Sequence, residues 1–149
     1  HFAPALLFFP DLVARLRERT ALPIHVHLMV ADAVLLAQID QFAEAGADLI
    51  SLIRILHDHD DDRAAELLLK AKRALPRNGR LLIAEPMADA TGARRMGDAY
   101  FGLYLWAMRS GRPRRSNEIG ALIERAGFSS WRAVDTAIPL VANIVVANN

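Results

Sequence analysis

The chain has 149 residues, with 53% hydrophobic and 23% charged residues, which is the composition of one globular domain and not of a disordered segment. Eighteen Lys and Arg stand against seventeen Asp and Glu, so a dedicated nucleic-acid surface is not expected, and the absence of Cys excludes disulfide frameworks, zinc ribbons and thiol nucleophiles. Pro10, Pro23 and scattered charges keep every apolar run below the roughly 18 residues a bilayer span needs. The expectation is a soluble, cytoplasmic protein with no membrane partner. The chain opens inside an apolar segment, His1-Phe2-Ala3-Pro4, and reads like a piece of something longer.

Taken in order, helical and strand patterns alternate. Asp11 to Thr20 carries Leu12, Val13 and Leu16 on one face of an amphipathic helix, stopped by Pro23. Ile24 to Val30 is a short β-rich run. Asp32 begins a helix with Leu35, Leu36, Ile39, Phe42 and Ala43 in one stripe, ending at Gly46. Asp48 to Leu56 is the second strand, and the acidic run Asp58 to Asp62 opens a helix through Leu75, where carboxylates complement the exposed amides of a first turn. Pro76 to Gly79 makes a turn into the third strand, Arg80 to Glu85. Near-continuous apolar strands separated by helices predict parallel pairing through right-handed crossovers, with 24–30 beside 48–56.

After Pro86 the rhythm changes. Met87 to Arg95 reads as a loop, and Asp98 to Met108 as an aromatic-rich helix with Tyr100, Leu103, Tyr104 and Ala107 inward. Tyr100, Phe101, Tyr104 and Trp106 cover more than one face, so part of that helix is expected to be exposed. Arg109, Arg112, Arg114 and Arg115 make a basic loop, read as solvated. Ser116 caps a helix with Ile119, Leu122, Ile123 and Ala126 inward, closed by Gly127. Trp131 to Asp135 and Leu140 to Ala147 form a terminal antiparallel hairpin.

Two resemblances run through these elements. His1-Phe2-Ala3-Pro4, Leu22-Pro23-Ile24-His25-Val26-His27-Leu28-Met29-Val30 and Phe42-Ala43-Glu44-Ala45-Gly46-Ala47-Asp48 resemble ribulose-phosphate 3-epimerase. That likeness implies that His27 stands at a metal-binding His and Met29 at the pocket wall. The family's other metal ligands have no counterpart, and eight strand-helix units need about 250 residues, so neither the barrel nor its activity is expected. From Ala47 onward the chain resembles bacterial S-adenosylmethionine-dependent O-methyltransferases of the hydroxyneurosporene and demethylspheroidene type. The residues are Ser51 to Asp61, Ala74-Leu75-Pro76, Leu81 to Met87, Gly97 to Gly102 and Ala126-Gly127-Phe128. This likeness implies that His57 takes the general-base position. No G-x-G-x-x-G loop occurs, and Gly46, Gly79 and Gly92 stand alone.

The two resemblances meet at Ala47-Asp48-Leu49-Ile50, which reads as a fusion. The expected fold is a three-layer, Rossmann-like α/β sandwich, residues 1–149 forming one domain. Its sheet is five-stranded and mostly parallel, in order 1-2-3-5-4, with the last strand antiparallel. The leading expectation for function is a chimeric scaffold without evolved catalysis or cofactor. The alternative is a remnant O-methyltransferase using S-adenosylmethionine with His57 as base; a third is a self-associating module. His25, His27 and His57 are candidate ligands for a divalent metal, since alternate residues of a strand share a face and ligand crevices lie at strand carboxyl ends. The competing reading of these residues is inherited histidines. Glu85 reads as a substrate-side carboxylate, or as a cap or salt-bridge partner. Strand 24–30 would be a sheet edge with no Lys or internal Pro to blunt it, so a homodimer through that edge is expected.

Overall fold

The computed structural model describes residues 17–21, 25–28, 46–90, 103, 111–137, 139 and 142–149. Its strands are β1 (His25–Leu28), β2 (Leu49–Ile53), β3 (Arg80–Glu85), β4 (Ser130–Val134) and β5 (Asn143–Asn148). The helices between them are α1 (Asp61–Ala74) and α2 (Ser116–Arg125). Sheet order is β1-β2-β3-β5-β4. β1 runs parallel to β2 with Val26 opposite Ile50, and β2 runs parallel to β3 with Leu52 opposite Ile83. β5 is inserted antiparallel between β3 and β4, with Ile83 opposite Val145 and Ala133 opposite the same Val145.

The pairing follows from burial. Ile50, Ser51 and Leu52 are consecutive and all buried, as are Ile83, Ala84 and Glu85, so both faces of β2 and β3 are covered. That is the environment in which parallel strands are found. α1 turns Ala64, Leu67, Leu68, Ala71 and Ala74 inward at helical spacing, and α2 does the same with Ile119, Leu122 and Ile123. The two helices pack on each other, and α2 also touches β4 and β5. Asp61 and Asp62 sit in the first turn of α1, with Lys72 and Arg73 in its last, each complementing the helix dipole.

The amino-terminal part is tied in by Arg17, in a helical turn over 17–19. Its guanidinium donates to the Gly46 carbonyl at 2.7 Å and pairs with Asp48 at the start of β2. Gly46 has φ +73, a left-handed conformation suited to glycine at the foot of that strand. At the other end, Asn149 Nδ2 donates to the carbonyls of Leu75 and Pro76 at 2.7 and 2.9 Å, closing the chain against the α1–β3 turn.

Several boundaries differ from the sequence reading, each for a local reason. β2 ends at Ile53 instead of Leu56 because Arg54 adopts φ +56 and Leu56–Asp58 winds into a short 3₁₀ turn. α1 therefore starts at Asp61 and not at Asp58. β5 begins at Asn143, later than Leu140. Ser116 does not cap α2 with its own side chain. Its N–H and hydroxyl both donate to Asp89, the hydroxyl at 2.6 Å, so a carboxylate 27 residues away serves that helix end. Leu103, expected inward, is 67% exposed. The helices expected at 32–45 and 98–108, and with them the third layer, lie outside the described residues.

Candidate active site

β3 is an apolar run ending in a carboxylate, and that carboxylate, Glu85, is 2% exposed. A buried acid demands donors. They come from the turn after β2, which the left-handed Arg54 folds back over the end of β3 while its own N–H donates to the Ala84 carbonyl at 2.9 Å. Glu85 Oε1 accepts the N–H of Ile55 at 2.9 Å and of Leu56 at 2.7 Å. Its Oε2 faces His57 Nδ1 in a short contact. Oε1 takes two amides and Oε2 faces a ring nitrogen, so a proton on Nδ1 completes the hydrogen bonds of this acceptor-only group.

His57 itself is 4% exposed, and its Nε2 lies 3.2 Å from Asp58 Oδ1. The imidazole is thus bracketed by two carboxylates, Glu85 at Nδ1 and Asp58 at Nε2. The dyad sits just past the carboxyl ends of two adjacent parallel strands, where open α/β sheets place their ligand crevices.

Arginines from the loop before α2 hold the turn. Arg114, expected in a solvated loop, is 2% exposed. Its Nη1 donates to the Leu56 carbonyl at 2.6 Å, its Nη2 to the His59 carbonyl at 2.7 Å, and its Nε to Asp61 Oδ1 at 2.9 Å. Its own carbonyl accepts the Ala88 N–H at 3.0 Å, just beyond Glu85. Arg112 keeps the expected exposure and bridges Asp61 and Glu118 at 3.2 and 2.7 Å. Gly111 crosses so closely that a Cβ there would stand 2.0 Å from the His57 carbonyl oxygen, and its N–H donates to Asp60 at 3.2 Å. The acidic run therefore does more than complement a helix dipole. Burial alone would raise the Asp61 carboxyl, but hydrogen bonds from Arg114 and Arg112 and their charges hold it below the usual carboxylate range.

Of the three histidines expected to meet at a metal, His57 is in the dyad. The register sets His25 level with Leu49 and His27 level with Ser51, alongside the body of β2, while His57 lies beyond its carboxyl end. The side chains of His25 and His27 lie outside the described residues. Among the described residues no three His, Asp or Glu form a metal-holding group. Among the described residues His59 is a second imidazole near the site. Its Nε2 is buried without a hydrogen-bond partner, and desolvation pulls its pKa below the ordinary value despite the opposing charge of Asp58.

Fold and site together define a class: a Rossmann-like α/β protein carrying a carboxylate-pinned imidazole at its strand ends. An O-methyltransferase domain model matches residues 23–129, and the chain belongs to that family. It is 42% identical over 102 residues to demethylspheroidene O-methyltransferase of Rhodobacter capsulatus, covering 68% of this chain and 26% of that enzyme. Among solved structures, LaPhzM superposes with a TM-score of 0.63 at 26% identity, over 95% of this chain and 47% of that one. Human N-acetylserotonin methyltransferase in complex with S-adenosylmethionine superposes with a TM-score of 0.61 at 25% identity, over 69% of this chain and 29% of that one. The chain spans about a quarter of the length of the curated relatives it matches.

These likenesses revise the sequence reading. The family match spans residues 23–129, which takes in Leu28, Phe42–Asp48 and the expected junction at Ala47–Ile50. Nothing in the comparisons supports an epimerase segment, a fusion or an engineered scaffold. The expectation of no cofactor likewise gains no support, since a structural relative is solved in complex with S-adenosylmethionine. Among the described residues no helix is long and apolar enough to cross a membrane.

Proposed function

We propose that this chain carries the acceptor-activating half of an S-adenosylmethionine-dependent O-methyltransferase site, with His57 as general base and Glu85 as the residue that orients it. The observation that carries this reading is the buried Glu85–His57 pair, in which one carboxylate satisfies two backbone amides and fixes Nδ1, leaving Nε2 to take a proton. The methyltransferase reading replaces the scaffold reading because the family match covers the dyad and both strands that present it.

S-adenosylmethionine, when bound, supplies an electrophilic methyl on sulfur. The described residues fit the acceptor side of that chemistry. His57 Nε2 would take the proton of the acceptor hydroxyl, the donor's methyl–sulfur bond breaking as the methyl ether forms and the thioether S-adenosylhomocysteine leaves. The imidazolium so formed lies between Glu85 and Asp58, which offset its charge in a water-poor setting. Demethylspheroidene is the first acceptor to try, given the 42% identity to the enzyme named for it.

The test is transfer of labelled methyl from S-adenosylmethionine to demethylspheroidene by the full chain. Product formation that His57→Gln abolishes supports the reading. Absence of transfer, or transfer indifferent to His57→Gln, sinks it.

A further inference from the structure

Arg114 touches both sides of the dyad without touching either member. Its guanidinium binds the carbonyl of the residue before His57 and that of the residue two after it, at 2.6 and 2.7 Å. Its backbone carbonyl binds Ala88, three residues past Glu85, at 3.0 Å. Asp61 braces the third edge of the fork through Nε at 2.9 Å. The planar guanidinium has a fixed donor geometry, so carbonyls bound to two of its nitrogens are held at a set spacing. Here that spacing encloses His57. Gly111 seals the same turn from outside, its backbone pressed against the His57 carbonyl in a space no side chain could share.

We infer that Arg114 is a positioning residue for the general base: it locks the 56–59 turn to the strand carrying Glu85 and so holds His57 in the Nδ1–H tautomer. A buried cation that holds two carbonyls of one turn and the first residue of α1, at sequence separations of 53 to 58, is weakly justified by stability alone. It is well suited to fixing a ring orientation within the narrow tolerance that proton transfer demands. The inference rests on the reading of His57 as base, but its signature is read on the imidazole itself and needs no acceptor or methyl donor.

The experiment is nitrogen-15 NMR of the histidine rings in the full chain, with His57 assigned by its loss in His57→Gln. The parent should show the Nδ1–H form, and Arg114→Lys, which keeps the charge but loses the fork, should lower the ratio of Nδ1–H to Nε2–H at least tenfold while still melting cooperatively. An unchanged His57 signature in a folded Arg114→Lys protein overturns the inference. If Arg114→Lys does not fold, Asp61→Ala decides, because it removes the brace and spares both carbonyl bonds: a threefold or larger fall in the ratio supports the role, and no change overturns it. Failure of methyl transfer with an Arg114-dependent His57 signal would count against the functional reading and not against this one.

Discussion

His57 and Glu85 face each other across two neighbouring parallel strands, Nδ1 to Oε2, with the opposite oxygen of the carboxylate already engaged by the amides of Ile55 and Leu56. The pair is therefore asymmetric: the carboxylate is fixed by the backbone and the ring is fixed by the carboxylate. Glu85→Gln keeps an oxygen for the two amides but turns an NH₂ toward Nδ1–H, and donor facing donor forces the ring into the other tautomer. We expect methyl transfer to fall by about a hundred- to ten-thousandfold. Stability should fall by about 1–3 kcal/mol, the range for a lost hydrogen bond to a charged group. Glu85→Ala, which strands both amides, should cost more. Denaturant melts of the two variants beside the activity assay check the order.

What the sequence disclosed and what it hid divide along chain distance. β3 was legible to the residue because Leu81-Leu82-Ile83-Ala84 is an apolar run punctuated by Gly79 before it and Pro86 after it. The parallel pairing of β1 with β2 followed from the same kind of local evidence. His57 came from its motif. Arg114 did not, because its neighbours in sequence are a Gly, a Pro and three other Arg, the composition of a solvated loop, while its partners lie more than fifty residues earlier. Glu85 carried a faint signal: a lone acid closing a fully buried strand must find donors, although the sequence does not say which. The break at Arg54 had no signal at all, since nothing in an Arg announces a left-handed backbone.

Gly120 lies under the ring of Trp131. A Cβ at Gly120 would stand 2.0 Å from the indole, whose Nε1 donates to Glu124 at 2.8 Å. In an open helix Gly→Ala stabilises by about 1 kcal/mol. Here we expect Gly120→Ala to destabilise by about 1–3 kcal/mol through overpacking. The double variant Gly120→Ala/Trp131→Ala should be less unstable than the sum of the singles, as a thermodynamic cycle on denaturant melts would show. Simple additivity would mean that the ring swings away at no cost.

Gly111 combines φ +80 with backbone contact to His57 and Asp58. Gly111→Ala meets both a left-handed strain and a carbonyl that cannot move without moving the base. We expect a loss of about 2 kcal/mol or more, with exchange of the Ile55 and Leu56 amides accelerated more than that of the sheet. A uniform rise in exchange would place the damage in global stability and not in the turn.

His59 sets the pH dependence on the acid side of neutrality. Desolvation lowers its pKa from the ordinary imidazole value of about 6.5; Asp58 opposes the shift, and Arg63, Arg114 and His57 add to it. Its buried Nε2 has no acceptor to receive a proton's charge. The unfolded chain therefore binds a proton here more readily than the folded one. The sign follows: the contribution is fully present above the unfolded value and is lost as pH falls from there through the lowered folded value. Asp61 and Glu118, both held below their ordinary values, contribute stability that is lost at pH below the usual carboxylate range. His59→Gln should flatten the stability profile between about pH 6.5 and the carboxylate range while leaving the steeper acid limb in place. Urea midpoints at half-unit intervals, parent against variant, would measure this; parallel curves through that interval would remove His59 from the account.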